Sequence, residues 1–153
     1  MITDNNQFYS IIDLMPLIRE TISTGKSIKF SVTGSSMFPL LADRRDSVTL
    51  SSVDVVKKYD IVLHQREDGT YIMHRVIGIK NGMLTIAGDN ENIKELNVPV
   101  SAVIAKVTSF TRKDKIYNMK ELWYRLYCRL WLAVFPMRLN ILGLLLTIRR
   151  RMR

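Results

Sequence analysis

Apolar residues along the chain recur at different intervals, and each interval predicts a different element. Over residues 6–24, NQFYSIIDLMPLIRETIST, Phe8, Ile11, Met15, Ile18 and Ile22 stand three or four apart, the spacing of one helix face. Asp13, Arg19 and Glu20 forbid an easy membrane span, and Pro16 begins a turn of helix or kinks one. The polar opening residues lack the charged-then-apolar order of a cleaved targeting peptide. The reading is an amphipathic helix lying against a sheet.

After Gly25 the period falls to two. Ile28, Phe30 and Val32 alternate with Ser27, Lys29, Ser31 and Thr33, as in a half-buried strand. Strand-like runs follow at 47–51, 60–66, 70–79, 83–87 and 98–110, the last opened by Pro99. Past residue 117 the pattern is helical and apolar again, and Pro136 divides it into two shorter helices. The expected fold is mainly β, of the α+β class. Its expected parts are an N-terminal helix (1–25), a β domain (26–111) and a basic, amphipathic helical tail (112–153).

Two turns predict which side chains meet. Asn81-Gly82 is the dipeptide of two-residue hairpin loops, which require positive φ at both residues. Such a loop pairs residues whose numbers add to 163, so His74 faces Asp89 within carboxylate reach. The same rule at Asp68-Gly69 sets Leu63 opposite His74, which places the histidine on a central strand. One bulge shifts either register.

Charge changes the picture of the tail. The first 111 residues hold 12 Lys and Arg against 12 Asp and Glu; residues 112–153 hold 11 against 2, which is the whole net charge of +9. Between Arg129 and Arg149 lie 19 residues, near the ~20 of a membrane span, but Arg138 and Asn140 interrupt them. Trp123, Tyr124, Tyr127 and Trp131, interleaved with Arg125 and Arg129, suit the boundary between lipid and water. The expected partner is an anionic membrane surface, bound peripherally; the alternative is a helical pair packed on the β domain. No nucleic acid is expected. Cys128 stands alone, read as a small apolar helix residue, and no Cys/His spacing offers a metal site. No cofactor is expected.

The stretch Gly34-Ser35-Ser36-Met37-Phe38-Pro39 places a serine just after a strand, on a turn closed by proline. A serine hydroxyl becomes a nucleophile when a base lies in hydrogen-bond reach and amide donors await the oxyanion. Gly34-x-Ser36-Met37-x-Pro39, Asp60-Ile61-Val62-Leu63, His74-Arg75-Val76-Ile77 and Gly88-Asp89-Asn90, in that order, resemble the serine peptidases of the signal peptidase and LexA superfamily over about residues 26–110. Histidine in an H-R-V context matches the archaeal and endoplasmic-reticulum type, where bacterial signal peptidases and LexA-type proteins carry lysine. The resemblance implies that family's β-fold, with Ser36 as nucleophile, His74 as general base, and a carboxylate orienting the imidazole. The hairpin count favours Asp89 for the third role; the family's aspartate six residues beyond its Gly-Asp corresponds to Glu95. Both stand at this point.

The same resemblance implies oxyanion donors from the Ser36 amide and the Ser35 amide or hydroxyl, close substrate approach beside Gly34, and a polypeptide bound as an extended strand along a groove lined by Met37. Two family glycines are replaced, giving Arg45-Asp46 and Tyr59-Asp60. His64 reads as structural, and Arg44 and Arg45 as a solvated loop. The expected function is a serine endopeptidase that trims a leader or signal segment. The alternatives are a LexA-like self-cleaving regulator, weakened by the histidine and by the lack of a helix-turn-helix ahead of the strands, and an idle membrane-surface binding protein on the same fold.

Overall fold

The computed structural model describes residues 11–151. Its elements in chain order are α1 (Ile11–Ser23), β1 (Ile28–Ser31), β2 (Asp46–Ser51), β3 (Ile61–Gln65), β4 (Tyr71–Lys80), β5 (Met83–Ala87), β6 (Glu95–Pro99), β7 (Val103–Arg112), β8 (Lys115–Asn118), α2 (Leu122–Ala133) and α3 (Arg138–Arg151). A turn of 3₁₀ helix, Phe135–Met137, carries Pro136 between the last two helices. The strands form one antiparallel sheet in the order β1-β2-β7-β3-β4-β5-β6, with β8 added beside β7. The architecture is the expected mainly β, α+β one.

Periodicity placed α1 well. Met15 and Ile18 are buried, Ile11 and Ile22 pack beside them, and Pro16 sits within the helix on its exposed side. Phe8 and the first turn expected for this helix lie outside the described residues. The main core joins α1, Val32, Met37, Leu40 and Leu41 to the sheet residues Val48, Leu50, Ile61, Leu63, Val107 and Phe110, with Tyr124 and Cys128 from α2. A smaller cluster, Val62, Val76, Leu84 and Ile86, occupies the other sheet face.

Both expected hairpin registers are displaced by one residue. Asn81 and Gly82 adopt φ of 50° and 72°, and the pairs Lys80–Met83 and Ile79–Leu84 follow the two-residue rule. A bulge between Val76 and Gly78 then pairs Arg75 with Ala87, so continuing the register sets His74 toward Gly88 and not Asp89. At the other hairpin Arg66 accepts from Gly69 and donates to Thr70, which closes a loop of Glu67, Asp68 and Gly69. His74 therefore faces Val62, and Leu63 faces Met73. The histidine still stands on a central strand.

The run at 98–110 is two strands. Pro99, with no N–H to donate, ends the edge strand β6 opposite Met83, and a 3₁₀ turn leads into β7. The helical tail also starts later than residue 112, because Lys113 and Asp114, at φ of 47° and 61°, turn the chain back into β8. No Asn or Gly marks that turn.

The aromatic residues of α2 face the protein. Tyr124, Cys128 and Trp131 are buried, and Trp123 packs edge-on against Phe110 and Tyr117. Leucines face outward instead: Leu122, Leu126 and Leu130 are 81%, 57% and 61% exposed, beside exposed Arg125 and Arg129. The side chains of Arg149, Arg150, Arg151 and Arg153 lie outside those described. Among the described residues no helix is long and apolar enough to cross a membrane.

Candidate active site

The serine turn is fixed by backbone bonds from two directions. Gly34, at φ of 92°, reverses the chain after β1, and its amide donates to Asp43 Oδ1 at 2.9 Å. Phe38 N–H donates to the Ser35 carbonyl at 3.1 Å and Leu41 N–H to that of Met37 at 2.9 Å. From the loop after β5, Asn90 N–H donates to the Ser36 carbonyl at 2.7 Å. A Cβ on Gly88 would lie 2.8 Å from that carbonyl oxygen, so only glycine lets the two loops close together. The amides of Ser35, Ser36 and Met37 make no hydrogen bond among the described residues, so their N–H groups are uncommitted.

Ser36, Met37, Gly34 and His74 line one cavity of about 230 Å³, together with Glu91 and the β4 residues Tyr71 to Met73. No hydrogen bond joins Ser36 to His74 among the described residues; the two side chains meet through this shared space. His74 is 2% exposed. Its Nδ1 lies 3.1 Å from Glu95 Oε1 and its Nε2 lies 3.6 Å from Glu91 Oε2. Burial disfavours the imidazolium and lowers the pKa, while Glu91 and Glu95 pull the other way without reversing it. Because the Glu95 carboxylate can only accept, the neutral tautomer that donates to it from Nδ1 keeps a lone pair on Nε2.

Glu95 is thus the carboxylate at the imidazole. Arg66 holds it by two bonds, Nη2 to Oε1 at 2.6 Å and Nε to Oε2 at 2.8 Å. Burial raises the Glu95 pKa, but the Arg66 bonds and charge outweigh it and leave the carboxyl below its ordinary value. Its place follows from the sheet: Glu95 on β6 pairs with Ile86, which pairs with Val76, two residues from His74 on the same face.

Asp89 does something else. Its carboxylate is 1% exposed and forks onto Arg75, at 2.8 Å to Nε and 2.7 Å to Nη2. Because successive strand residues point to opposite faces, Arg75 turns away from His74 toward α2. There Arg75 Nη1 donates to Tyr124 Oη at 2.6 Å and Cys128 Sγ at 2.9 Å, and Trp131 Nε1 donates to the Asp89 carbonyl at 3.2 Å. Tyr127 Oη adds a longer bond to Asp89 at 3.4 Å. The proposed role of Asp89 as orienter of His74 is not what the geometry provides, because its oxygens are committed to this clamp on the opposite face.

Elsewhere Arg45 and Arg112 both fork onto buried Asp46, so Arg45 is more than a solvated loop residue. Tyr59, where the resemblance leads one to expect glycine, takes the glycine-like φ of 82°.

Two residues were not read from the sequence as part of this site. Glu91 faces the cavity beside Nε2. His64 was read as structural, yet neither ring nitrogen has a hydrogen-bond partner although the residue is fully buried. The pairing of Val62 with His74 puts His64 diagonally across from His74, with ring centroids 6.4 Å apart. His64, His74 and Glu95 each bring one ligand atom within 4.8 Å of the others, a grouping that sequence spacing did not disclose. The loop length at Asp68-Gly69 is the signal that sets which residues share this face. No known family model matches the chain, and no curated protein matches it.

Proposed function

We propose that the protein is a serine endopeptidase of the signal peptidase type, cleaving a leader or signal segment from a polypeptide bound as an extended strand. The observation that carries this reading is the convergence of Ser36 and His74, with Glu95 behind the imidazole, on one cavity beside three uncommitted amides. His74 Nε2 takes the hydroxyl proton of Ser36 as its oxygen attacks a peptide carbonyl. The Ser35 and Ser36 amides receive the oxyanion, and His74 then protonates the departing amine. Water, activated by the same nitrogen, hydrolyses the acyl-enzyme. Glu91, whose side chain is 40% exposed, borders the same cavity on the Nε2 side.

Association with an anionic membrane surface belongs to the same proposal. The exposed leucines of α2 supply an apolar face and Arg125 and Arg129 the charge.

The test is labelling by a fluorophosphonate, followed by co-expression with candidate precursors encoded beside the protein. Wild type is expected to label and to cleave, with Ser36→Ala and His74→Ala inert. Equal labelling of wild type and Ser36→Ala removes the assignment of the nucleophile.

A further inference from the structure

We infer that His64, His74 and Glu95 form a binding site for a zinc-class divalent ion, and that an ion held there switches the peptidase site off. The binding half stands on the cluster itself; the inhibitory half rests on the peptidase reading.

An imidazole buried without a partner for either nitrogen is costly unless something else satisfies it. His64 is fully buried in that state: neither ring nitrogen has a partner in hydrogen-bond geometry, and the Gln65 backbone is only a minor favourable influence on the charged ring. The ring also borders a groove of about 1200 Å³ that is lined by Glu95 and by β6 out to Pro99, which gives an ion a path from solvent. Two imidazoles and one carboxylate are the donor set that zinc favours, with open positions left for water. Bonds of ~2.0 Å in a tetrahedron put ligand atoms roughly 3.3 Å apart. Glu95 Oε1 and His74 Nδ1 already stand 3.1 Å apart. The closure that remains, from at most 4.8 Å, falls mainly to His64, whose ring nitrogens have no partner in hydrogen-bond geometry.

Occupancy and catalysis exclude each other whichever nitrogen of His74 binds. An ion on Nε2 takes the lone pair that Ser36 needs. An ion on Nδ1 displaces the bond to Glu95 and leaves the single ring proton on Nε2, which then cannot accept another. Arg66 opposes the ion, since its guanidinium is forked onto Glu95, so a neutral residue there should bind metal more tightly.

The experiment uses the full chain with zinc and with cobalt(II). Calorimetry is expected to give one zinc per chain, and the cobalt form a visible spectrum of a four-coordinate ion. Zinc X-ray absorption on wild type is expected to show two imidazoles in the first shell. His64→Gln is expected to bind at least about a hundredfold more weakly, Arg66→Met more tightly, and Ser36→Ala like wild type. One equivalent of zinc is expected to slow fluorophosphonate labelling of wild type roughly a hundredfold, restored by chelator, with the ratio returning to near one in His64→Gln. No zinc bound by wild type, or absorption spectra with no imidazole, overturns the site without reference to any variant's folding. Zinc binding with these ligands and undiminished labelling overturns the switch. Binding with no labelling under any condition keeps the site and removes the peptidase reading instead.

Discussion

His74 and Arg75 are neighbours on β4, and each meets a carboxylate, yet the two pairs are built oppositely. Arg75 and Asp89 are both 1% exposed and joined by two short bonds; Arg75 Nη1 donates further to the Tyr59 carbonyl, Tyr124 and Cys128, and the Asp89 carbonyl accepts from Trp131. His74 has one bond to Glu95, which is 20% exposed, and its second nitrogen opens on a cavity. A pair whose every polar side-chain atom has a partner, with no face open to a cavity, can only hold structure together. A pair that leaves one nitrogen facing space, beside a serine, keeps a proton acceptor available.

The largest expected effect breaks the sealed pair. Arg75→Met leaves the Asp89 charge buried and unpaired, and is expected to cost roughly 3–5 kcal/mol in chemical denaturation. Adding Asp89→Leu to it recovers part of the loss, because no charge then remains to be desolvated. The open pair should behave in the reverse sense. Glu95→Gln is expected to slow labelling of Ser36 at least roughly a hundredfold, ~2.7 kcal/mol of barrier, while stability changes by less than about 1 kcal/mol. If Glu95→Gln unfolds the protein and Arg75→Met only slows it, the assignment of the two pairs is inverted.

The hairpin count at Asn81-Gly82 points toward that inversion, and the reason is physical. The alternation of Ile28, Phe30 and Val32, the spacing of Met15 and Ile18, and the Asn81-Gly82 turn all report local geometry, and the structure follows them. Which carboxylate meets His74 depends on a bulge at Ile77, and which histidine stands beside it depends on one extra loop residue before Thr70; no residue type announces either. Glu95 comes within reach only through the resemblance, whose aspartate six residues beyond the Gly-Asp falls on it. His64 was invisible as a neighbour of His74, because a one-residue error in the loop puts the two on opposite faces. The inner face of α2 is hidden from the sequence for another reason: aromatic residues beside arginines fit a membrane boundary and a protein surface equally well, and the Arg75 that Tyr124 meets lies 49 residues away.

Asp46 is intermediate between the two pairs, with a fully buried carboxylate held by two arginines that reach water. Burial raises its pKa, but hydrogen bonds from Arg45 and Arg112 prevail and bring it to about 2, below the ordinary 3.8. A pKa lower in the folded than in the unfolded chain gives stability that is complete above pH 4 and is lost as the pH falls through 2. Denaturation measured across that window is expected to show up to about 2 kcal/mol of acid loss. Asp46→Asn should be less stable at pH 7 and flatter through the window; an unchanged slope removes Asp46 as its source.

The smallest effect tests the outer face of α2 against its inner one. Leu126 is 57% exposed, so lipid can cover only about half of a side chain whose full burial yields ~1.5–3 kcal/mol. Leu126→Ala is therefore expected to weaken flotation with anionic vesicles by roughly 1 kcal/mol, about fivefold, and to leave folding within about 0.5 kcal/mol. Tyr124→Phe, on the inner face, should do the opposite, destabilising the clamp through its lost bonds to Arg75 and the Tyr59 carbonyl without touching vesicle binding. Raised salt should weaken the wild-type interaction further through Arg125 and Arg129, since exposed charges are screened within a Debye length of ~8 Å at physiological ionic strength. Vesicle binding that ignores both Leu126→Ala and salt leaves the leucine face without a lipid partner, and then the helix serves only to seal Arg75.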